Sequence, residues 1–308
     1  MKFSRLLSLL PLLAVAACSD SKPSAPLDTP TTGKVRISID ENVQPLADEL
    51  IDAFEFSYPD AFLMQSYAPE DSVVKELFAD SSRLAIMTRQ LTKEELAWFE
   101  KQKFGIEHIK IASDAVVLLV NRENADSVFT IEQVRRLLTG EDSLWSQVRP
   151  GLPAERVHIV FDNGTSSNLR YLSDTLLNKK APGKNCFAVH SSDSVIAYVN
   201  RTPNAIGIVG LNWLGDKDSQ EDMDRRAKVR MAMVGADSAS TVHPTQSTLV
   251  TGQYPFTRGV YIVKIGRRAG LGTGFATFAF GERGQLIVQR AGLAPASPAE
   301  RKIKLDVH

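Results

Sequence analysis

The sequence predicts an α/β fold of two lobes, with parallel or mixed sheets flanked by helices. Strand-like and helix-like segments alternate through residues 34–308, the pattern of strands covered by helices. That stretch is long enough for one large domain or two lobes. A single barrel would need eight regular units, and the charged stretch 216–226 and the polar stretch 237–251 interrupt any such rhythm.

The elements follow in order. Residues 34–39 alternate apolar and polar and read as a strand. Pro45 suits a first helical turn, and Leu46, Leu50, Ile51 and Phe54 line one face of the helix it opens, which runs up to Tyr58-Pro59. Short apolar runs at 61–65 and 84–87 are strands. Thr92 with Glu95 is a capping box that starts helix 94–102. The β-branched runs 109–112 and 116–121 are two further strands. Thr130 with Gln133 is a second capping box, and Gly140 closes its helix. Strand 157–161 runs straight into Asp162-Asn163-Gly164-Thr165-Ser166-Ser167. Leu169, Leu172 and Leu176 then keep helical spacing through 168–177. Residues 194–199 are helical, 206–209, 229–234 and 260–265 are strands, and 274–280 and 285–291 are closing helices.

The N-terminus stands apart from the fold. Lys2 and Arg5 precede a short apolar run that Pro11 interrupts, and small residues lead to a cysteine. Residues 1–18 read as a signal peptide too short to span a membrane. Its end, Val15-Ala16-Ala17-Cys18, resembles the bacterial lipoprotein box, which implies lipidation of Cys18 and attachment to a membrane. Residues 19–33 are polar and carry Pro23, Pro26 and Pro30, so they read as a flexible tether.

Composition narrows the chemistry. Lys plus Arg and Asp plus Glu are 36 each, and no long basic run exists, which argues against nucleic acid as a partner. With Cys18 set aside for lipid, Cys186 is unpaired and lies in an apolar segment, where it reads as a buried structural thiol. His108, His158, His190, His243 and His308 form no spaced metal pair, and there is no Gly-x-Ser-x-Gly elbow. The expectation is a protein that is not an enzyme and that uses no metal and no cofactor.

Ligands of open α/β sheets lie at the carboxyl ends of strands. Three such turns are rich in anion-binding groups: Asp40-Glu41-Asn42-Val43, Thr88-Arg89-Gln90, and Asn163-Gly164-Thr165-Ser166-Ser167-Asn168. Each precedes a helix or turn with free backbone N–H groups, and Arg89 adds a planar fork suited to phosphate oxygens. Plainer readings exist for each: Ser166 and Ser167 as N-caps, Thr88 and Arg89 as an exposed loop pair, Asp40 and Glu41 as solvated turn residues. Gly270-Leu271-Gly272-Thr273-Gly274 looks like a phosphate loop but lacks the following Lys and Ser/Thr, so it reads as a helix start.

An ordered set of segments resembles the PstS-type phosphate-binding proteins of ABC importers. Residues 85–92 resemble that family's "Ser-Arg-Pro-Leu" region, and residues 128–148 its helix, glycine and tryptophan segment. Gly164-Thr165-Ser166-Ser167-Asn168 stands where the family has Gly-Ser-Gly-Thr-Asn. Residues 203–210 resemble "Pro-Gly-Ala-Ile-Gly-Tyr-Val-Gly", residues 251–258 resemble "Gly-x-Tyr-Pro-Leu-x-Arg", and residues 281–292 the terminal helix. The likeness spans residues 34–295, and the forms Met87-Thr88-Arg89 and Phe161-Asp162-Asn163 are most similar to Bacteroidetes lipoproteins.

The resemblance implies a type II periplasmic-binding fold, with one lobe of 34–118 plus 232–308, the other of 119–231, and ligand between them. It implies an inorganic phosphate or similar oxyanion as ligand, an ABC permease as partner, the periplasm or cell envelope as location, and a monomer. Carried over by position, the contacts are Asn42, Val43, Thr88, Arg89, Asn163, Thr165, Ser166 and Ser167, with Ser72 a further candidate. Two departures stand out. Many members have an arginine where this chain has Phe161, and some have an aspartate, which accepts the proton of hydrogen phosphate, where it has Thr88. Asp40, Glu41 or Asp71 is then the candidate acceptor, and Arg89 the candidate replacement cation. Two other functions remain open at this point: an extracytoplasmic anion sensor for a membrane kinase, and a phosphate-ester hydrolase.

Overall fold

A computed structural model describes residues 28–267 and 269–297. The expected signal peptide, Cys18 and the first part of the expected tether lie outside the described residues. The chain begins with β1 (Gly33–Asp40), α1 (Gln44–Ser57), β2 (Ala61–Ala68), α2 (Glu70–Phe78), β3 (Leu84–Met87), α3 (Lys93–Lys101) and β4 (Ile106–Asn121). It continues through β5 (Val128–Thr130), α4 (Ile131–Thr139), α5 (Trp145–Val148), β6 (His158–Phe161), α6 (Ser167–Leu176), β7 (Cys186–Ala188), α7 (Ser192–Arg201), β8 (Ala205–Gly210), α8 (Gln220–Lys228) and β9 (Val229–Met231). It ends with β10 (Met233–Gly235), α9 (Gln246–Val250), β11 (Thr257–Ile265), α10 (Leu271–Phe280), α11 (Glu282–Arg290) and β12 (Ala294–Pro295).

Strand β4 organises the molecule. Its first part pairs antiparallel with β11, in the order β2-β1-β3-β11-β4. Its second part pairs antiparallel with β8, in the order β4-β8-β6-β7, so one strand belongs to two half-sheets. β1 is parallel to β2 and β3, and β6 is parallel to β7 and β8. This is the mixed α/β sheet flanked by helices that the sequence predicts. The carboxyl ends of β1, β3 and β6, where the three polar turns begin, are brought together by this arrangement.

Helices close both faces. On one face of the first half-sheet, α1 buries Leu46, Leu50, Ile51 and Phe54, and the Phe54 ring meets Phe275 of α10 at 5.5 Å. On the other face, Val73, Val74 and Leu77 of α2 and Phe99 of α3 cover Ala85, Met87 and Val263. In the second half-sheet α7 lies so close to β8 that a Cβ on Gly207 would come within 2.6 Å of Val195 Cγ1. That contact requires glycine.

Several elements differ from expectation for identifiable reasons. The runs 109–112 and 116–121 are one strand, because Ser113 and Asp114 stay extended and pair with Gly259 and Arg258 of β11. The run 229–234 is two strands: β9 pairs with β4, and β10 pairs with β5. The turn at Pro69 is the N-cap of α2, whose apolar face the proline and two acids obscured. The charged stretch 216–226 holds most of α8, a helix with Asp222 as its buried residue and hence no apolar stripe. Both capping boxes and the left-handed Gly140 are as expected.

The expected tether ends earlier than residue 33. Asp28 Oδ1 accepts from the Leu271 backbone N–H at 2.8 Å and so caps α10, whose own N-cap residue Gly270 has no side chain. A Cβ on Gly274 would sit 1.7 Å from Pro30 O, so the glycine-rich segment is the seat of this strap as well as a helix start. Removing a capping carboxylate typically costs about 0.5–2 kcal/mol. Asp28→Ala is expected to lower the unfolding free energy by that amount, read as a lower urea midpoint with no change in slope; an unchanged midpoint would show that the strap adds nothing to stability.

Candidate functional site

Asn42 lies at the centre of the three turns. It follows β1, is fully buried, and touches the second half-sheet through every polar group of its side chain. Its Nδ2 donates to Asp162 Oδ2 at 3.0 Å, and its Oδ1 accepts from Asn168 Nδ2. Its backbone carbonyl accepts from Asn212 Nδ2 at 2.8 Å and Trp213 Nε1 at 3.0 Å. Beside it the Asn163 amide donates to Glu41. Val43 is also fully buried, but its side chain is part of the core, so only its backbone is available to a ligand.

The third turn is built by Asx and capping bonds. Asn163 Oδ1 accepts from the Thr165 N–H at 2.8 Å and from its hydroxyl at 3.2 Å. Ser166 is the N-cap of α6, accepting from the Asn168 N–H, while Ser167 is buried at the first helical position. The N-cap reading of Ser166 is therefore correct, and it coexists with a place in the site. Thr88 is buried at the end of β3, and its hydroxyl donates to Glu70 Oε2 at 2.9 Å and lies 3.4 Å from Asp40 Oδ2.

Arg89 faces acids rather than the turn hydroxyls. Its guanidinium forms a two-point pair with Glu95 and a third contact with Glu70, so its donors are committed within its own half-sheet. The cations that reach the turn hydroxyls are Arg258 and Arg170. Arg258 Nη1 donates to Ser167 Oγ at 3.3 Å, and its other side holds Asp114 Oδ2 at 2.9 Å in a fully buried pair. Arg170, on α6, crosses to Glu70 at 2.7 Å and to Thr88 Oγ1 at 3.3 Å. Sequence reading missed both as site residues. Arg258 ended a segment that had been singled out, and Arg170 stands one helical turn after Ser166, so both carried a usable signal.

The candidate proton acceptors separate by position. Asp71 is exposed on the first turn of α2, and Ser72 follows it there rather than in a ligand turn. Glu41 is half-buried, and burial raises its pKa. Asp40 is fully buried rather than a solvated turn residue, and burial together with the nearby Glu70 carboxylate raises its pKa to about 7. Arg258, Ser167 and the Asn42 N–H pull it the other way. Asp162 is likewise raised by burial.

Outside the site, two histidines and Cys186 have structural partners, though Cys186 is less enclosed than the buried thiol expected. His108 Nε2 accepts from the Leu91 N–H, and His158 Nδ1 bonds the Tyr198 hydroxyl. Cys186 is half-buried, and burial pushes its thiol up to about 12, which makes it a poor nucleophile.

A family model described as a PBP superfamily domain matches residues 24–283. The phosphate-binding protein PstS of Borreliella burgdorferi is 25% identical over 266 residues, covering 84% of this chain and 88% of that protein. The protein of the same name from Staphylococcus saprophyticus is 22% identical over 251 residues, covering 80% of this chain and 74% of its own. Among solved structures, an ABC-type phosphate transport receptor from Vibrio cholerae superposes with a TM-score of 0.65 at 17% identity, over 84% of this chain and 99% of its own. The high-affinity periplasmic phosphate-binding protein PfluDING, bound with phosphate, gives 0.68 at 11% identity, over 85% and 90%. At these identities the superpositions show the periplasmic-binding-protein fold.

The raised Asp40 carboxyl has a signed consequence for stability. Below about pH 3.8 it is protonated in folded and unfolded chains alike. Between 3.8 and about 7 the unfolded chain has released the proton and the folded chain keeps it, so raising the pH lowers stability. Above about 7 the cost is constant. The stability gap between Asp40→Asn and wild type is therefore expected to widen in favour of the variant from pH 4 to 7 and then level off. Urea titrations across that range check it, and a flat gap would show that Asp40 ionises normally.

Proposed function

The chain belongs to the PBP superfamily, and on that premise we propose that it captures phosphate or a similar tetrahedral oxyanion outside the cytoplasm for an ABC importer. In this reading the chain is a substrate-binding transport protein and not an enzyme. One observation carries the reading. Hydroxyl and amide donors from the two half-sheets converge at strand ends, Asn42 and Thr88 from one and Thr165, Ser166 and Ser167 from the other, with Arg170 and Arg258 bonded to Thr88 and Ser167. That is the donor set a tetrahedral oxyanion takes. Relatives that carry the name phosphate-binding protein support it.

In this reading lobe 1 is 34–118 with 232–308 and lobe 2 is 119–231. The two crossings lie side by side, since the Ala232 N–H bonds the Leu118 carbonyl at 2.8 Å, as a hinge requires. An anion that contacts both lobes favours their closed arrangement, because only that arrangement offers both contact sets. The ligand contacts are Asn42, the Val43 backbone, Thr88, Asn163, Thr165, Ser166 and Ser167, with Arg170 and Arg258 in place of Arg89. The protein works as a monomer at the periplasmic surface, held by lipid on Cys18, and delivers to an ABC permease.

Calorimetry with phosphate, sulfate and molybdate tests the binding. Phosphate is expected to bind, and Ser167→Ala to weaken it by about 0.5–1.5 kcal/mol, the net worth of a neutral hydrogen bond. Solution scattering is expected to show compaction when phosphate saturates the chain. No heat with phosphate, or no change in scattering, rejects the reading. The anchor is tested separately. In a host that processes lipoproteins, wild type is expected in the detergent phase and Cys18→Ser in the aqueous phase, and equal partitioning of the two excludes lipidation.

A further inference from the structure

A second cavity, away from the anion turns, is lined by acids. It measures about 310 Å³, the size of a small-molecule site, and is bordered by α1, α7, α8 and residues 211–213 after β8. Asp48 and Glu49 enter it from α1. Asp193 enters from α7, Asp216 from the loop before α8, and Glu221 and Asp222 from α8. Two guanidiniums answer these six carboxylates. Arg225 pairs with Asp193 at 2.8 Å, Asp222 at 2.9 Å and Glu221 at 3.4 Å. Arg290 pairs with Glu49 at 2.9 Å and reaches Asp216 at 3.5 Å. Asp48 is bonded by uncharged donors, the Gln44 amide and the Tyr67 hydroxyl. The acids remain in excess and crowd one another. Burial raises the pKa of Glu49 and Asp222, and the Asp216 carboxylate adds to the rise in both.

Acids in the first turn of a helix often serve only the helix itself. A separate feature marks this cavity as a site. Asn212 lines it and is 2% exposed. The Asn212 Nδ2 donates to the Asn42 carbonyl at 2.8 Å, and its backbone N–H to Asp114. Its Oδ1 has no hydrogen-bond partner; among the described residues Asn168 Oδ1 is another such buried oxygen. Buried acceptors nearly always have a donor, and the cavity that Asn212 borders is where one can enter. Beside it the Trp213 ring, also in the lining, already carries a cation on its face, the Arg225 guanidinium 5.0 Å from the ring centre.

The cavity therefore calls for positive charge that also brings N–H donors. A metal ion does not meet that need. Among the described residues no three His, Cys, Asp or Glu side chains stand close enough to hold one, and a metal has no hydrogen to give Asn212. Acids that arrive from separate helices, with Pro45, Leu46 and Ala291 in the same lining, suit two positive centres joined by a short apolar stem. We propose that this cavity is a second binding site, for a small aliphatic diamine in its doubly charged form. One ammonium is held by the acids of α1 and the other by those of α7 and α8, with Asn212 Oδ1 as a neutral acceptor. The site is separate from the oxyanion turns, and its ligand has the opposite charge.

The test is calorimetry on the full chain at neutral pH and physiological salt, with putrescine as the probe. Saturable binding is expected. Butylamine, which carries a single ammonium on the same stem, is expected to bind at least about tenfold more weakly, the worth of one charged hydrogen-bonding group. Asp48→Asn and Asp193→Asn take one acid from each group, and each is expected to weaken putrescine about threefold, the size of one partly exposed ion pair. Asn212→Leu is expected to weaken it as well, while the Trp213 indole still serves the Asn42 carbonyl. Thermal melting shows which variants fold; if Asn212→Leu does not, the two acid variants decide. No saturable heat with putrescine, equal affinity for butylamine, or wild-type affinity in every folded variant overturns the site. Calcium that displaces putrescine at equal concentration overturns the assignment to an organic cation. None of these outcomes bears on the oxyanion reading.

Discussion

The Arg258–Asp114 pair holds the parts of this molecule that must meet. Asp114 lies on β4, and Arg258 lies opposite it on β11; their side chains are 0% and 1% exposed. Two buried charges are costly unless their remaining hydrogen-bonding groups are also met. Here they are. Asp114 Oδ1 accepts from the Asn212 N–H beyond β8, and Arg258 Nη1 donates to Ser167 at the start of α6. One ion pair therefore fixes β4, β11, the end of β8 and the head of α6 relative to each other. It does so at the point where β4 passes from one half-sheet to the next. A Cβ on Gly210 would come within 2.6 Å of Asn212 Nδ2, with Asp114 at 3.1 Å and Arg258 at 3.2 Å behind it, so the crowding around the pair requires a residue without a side chain there.

Charge in the site is crowded and internally balanced in an uneven way. Asp114 is matched by Arg258, and Glu70 carries Arg89 from its own half-sheet and Arg170 from the other. Asp40 and Asp162 have no such partner, and burial raises the pKa of both. A dianion entering here gains from three guanidiniums nearby but meets carboxylates at close range. In a poorly screened interior such like-charge contacts are strong, so the protonation of ligand and carboxylates must be decided together. In the oxyanion reading proposed above, affinity depends on where protons sit more than on bare positive charge.

Much of the fold was legible because local signals agreed with the global arrangement. Thr92 with Glu95, and Thr130 with Gln133, both name a helix start and form the complete reciprocal bond pair. What was not legible shares a cause. The helix α8 is polar on all sides, and α2 begins with a proline and two acids, so neither shows a full apolar stripe. The site divides the same way. Asn42, Thr88 and the Asn163–Ser167 turn were visible as strand-end polar residues. The roles of Arg89, Arg170 and Glu70 were not, since which guanidinium faces which carboxylate depends on contacts between residues as far apart as Glu70 and Arg170. No local pattern encodes that choice, and Arg89, the local candidate, is set by tertiary pairing against Glu70 and Glu95.

Asn42 links this chemistry to motion. Its side chain and its carbonyl together bond Asp162, Asn168, Asn212 and Trp213, all on the far side of β4's crossing point from β1. In the two-lobe reading proposed above, a hinge movement that separates the lobes must break these bonds first, and with them the Arg170 contact to Glu70. Breaking them exposes each group to water, which offsets most of their loss, so the net barrier to opening is small compared with the number of bonds. The unpartnered oxygens of Asn168 and Asn212 beside Asn42 act in the same direction. They make the assembled arrangement less favourable than a fully satisfied core would be. In the two-lobe reading proposed above, the same few atoms set the resting balance between open and closed forms.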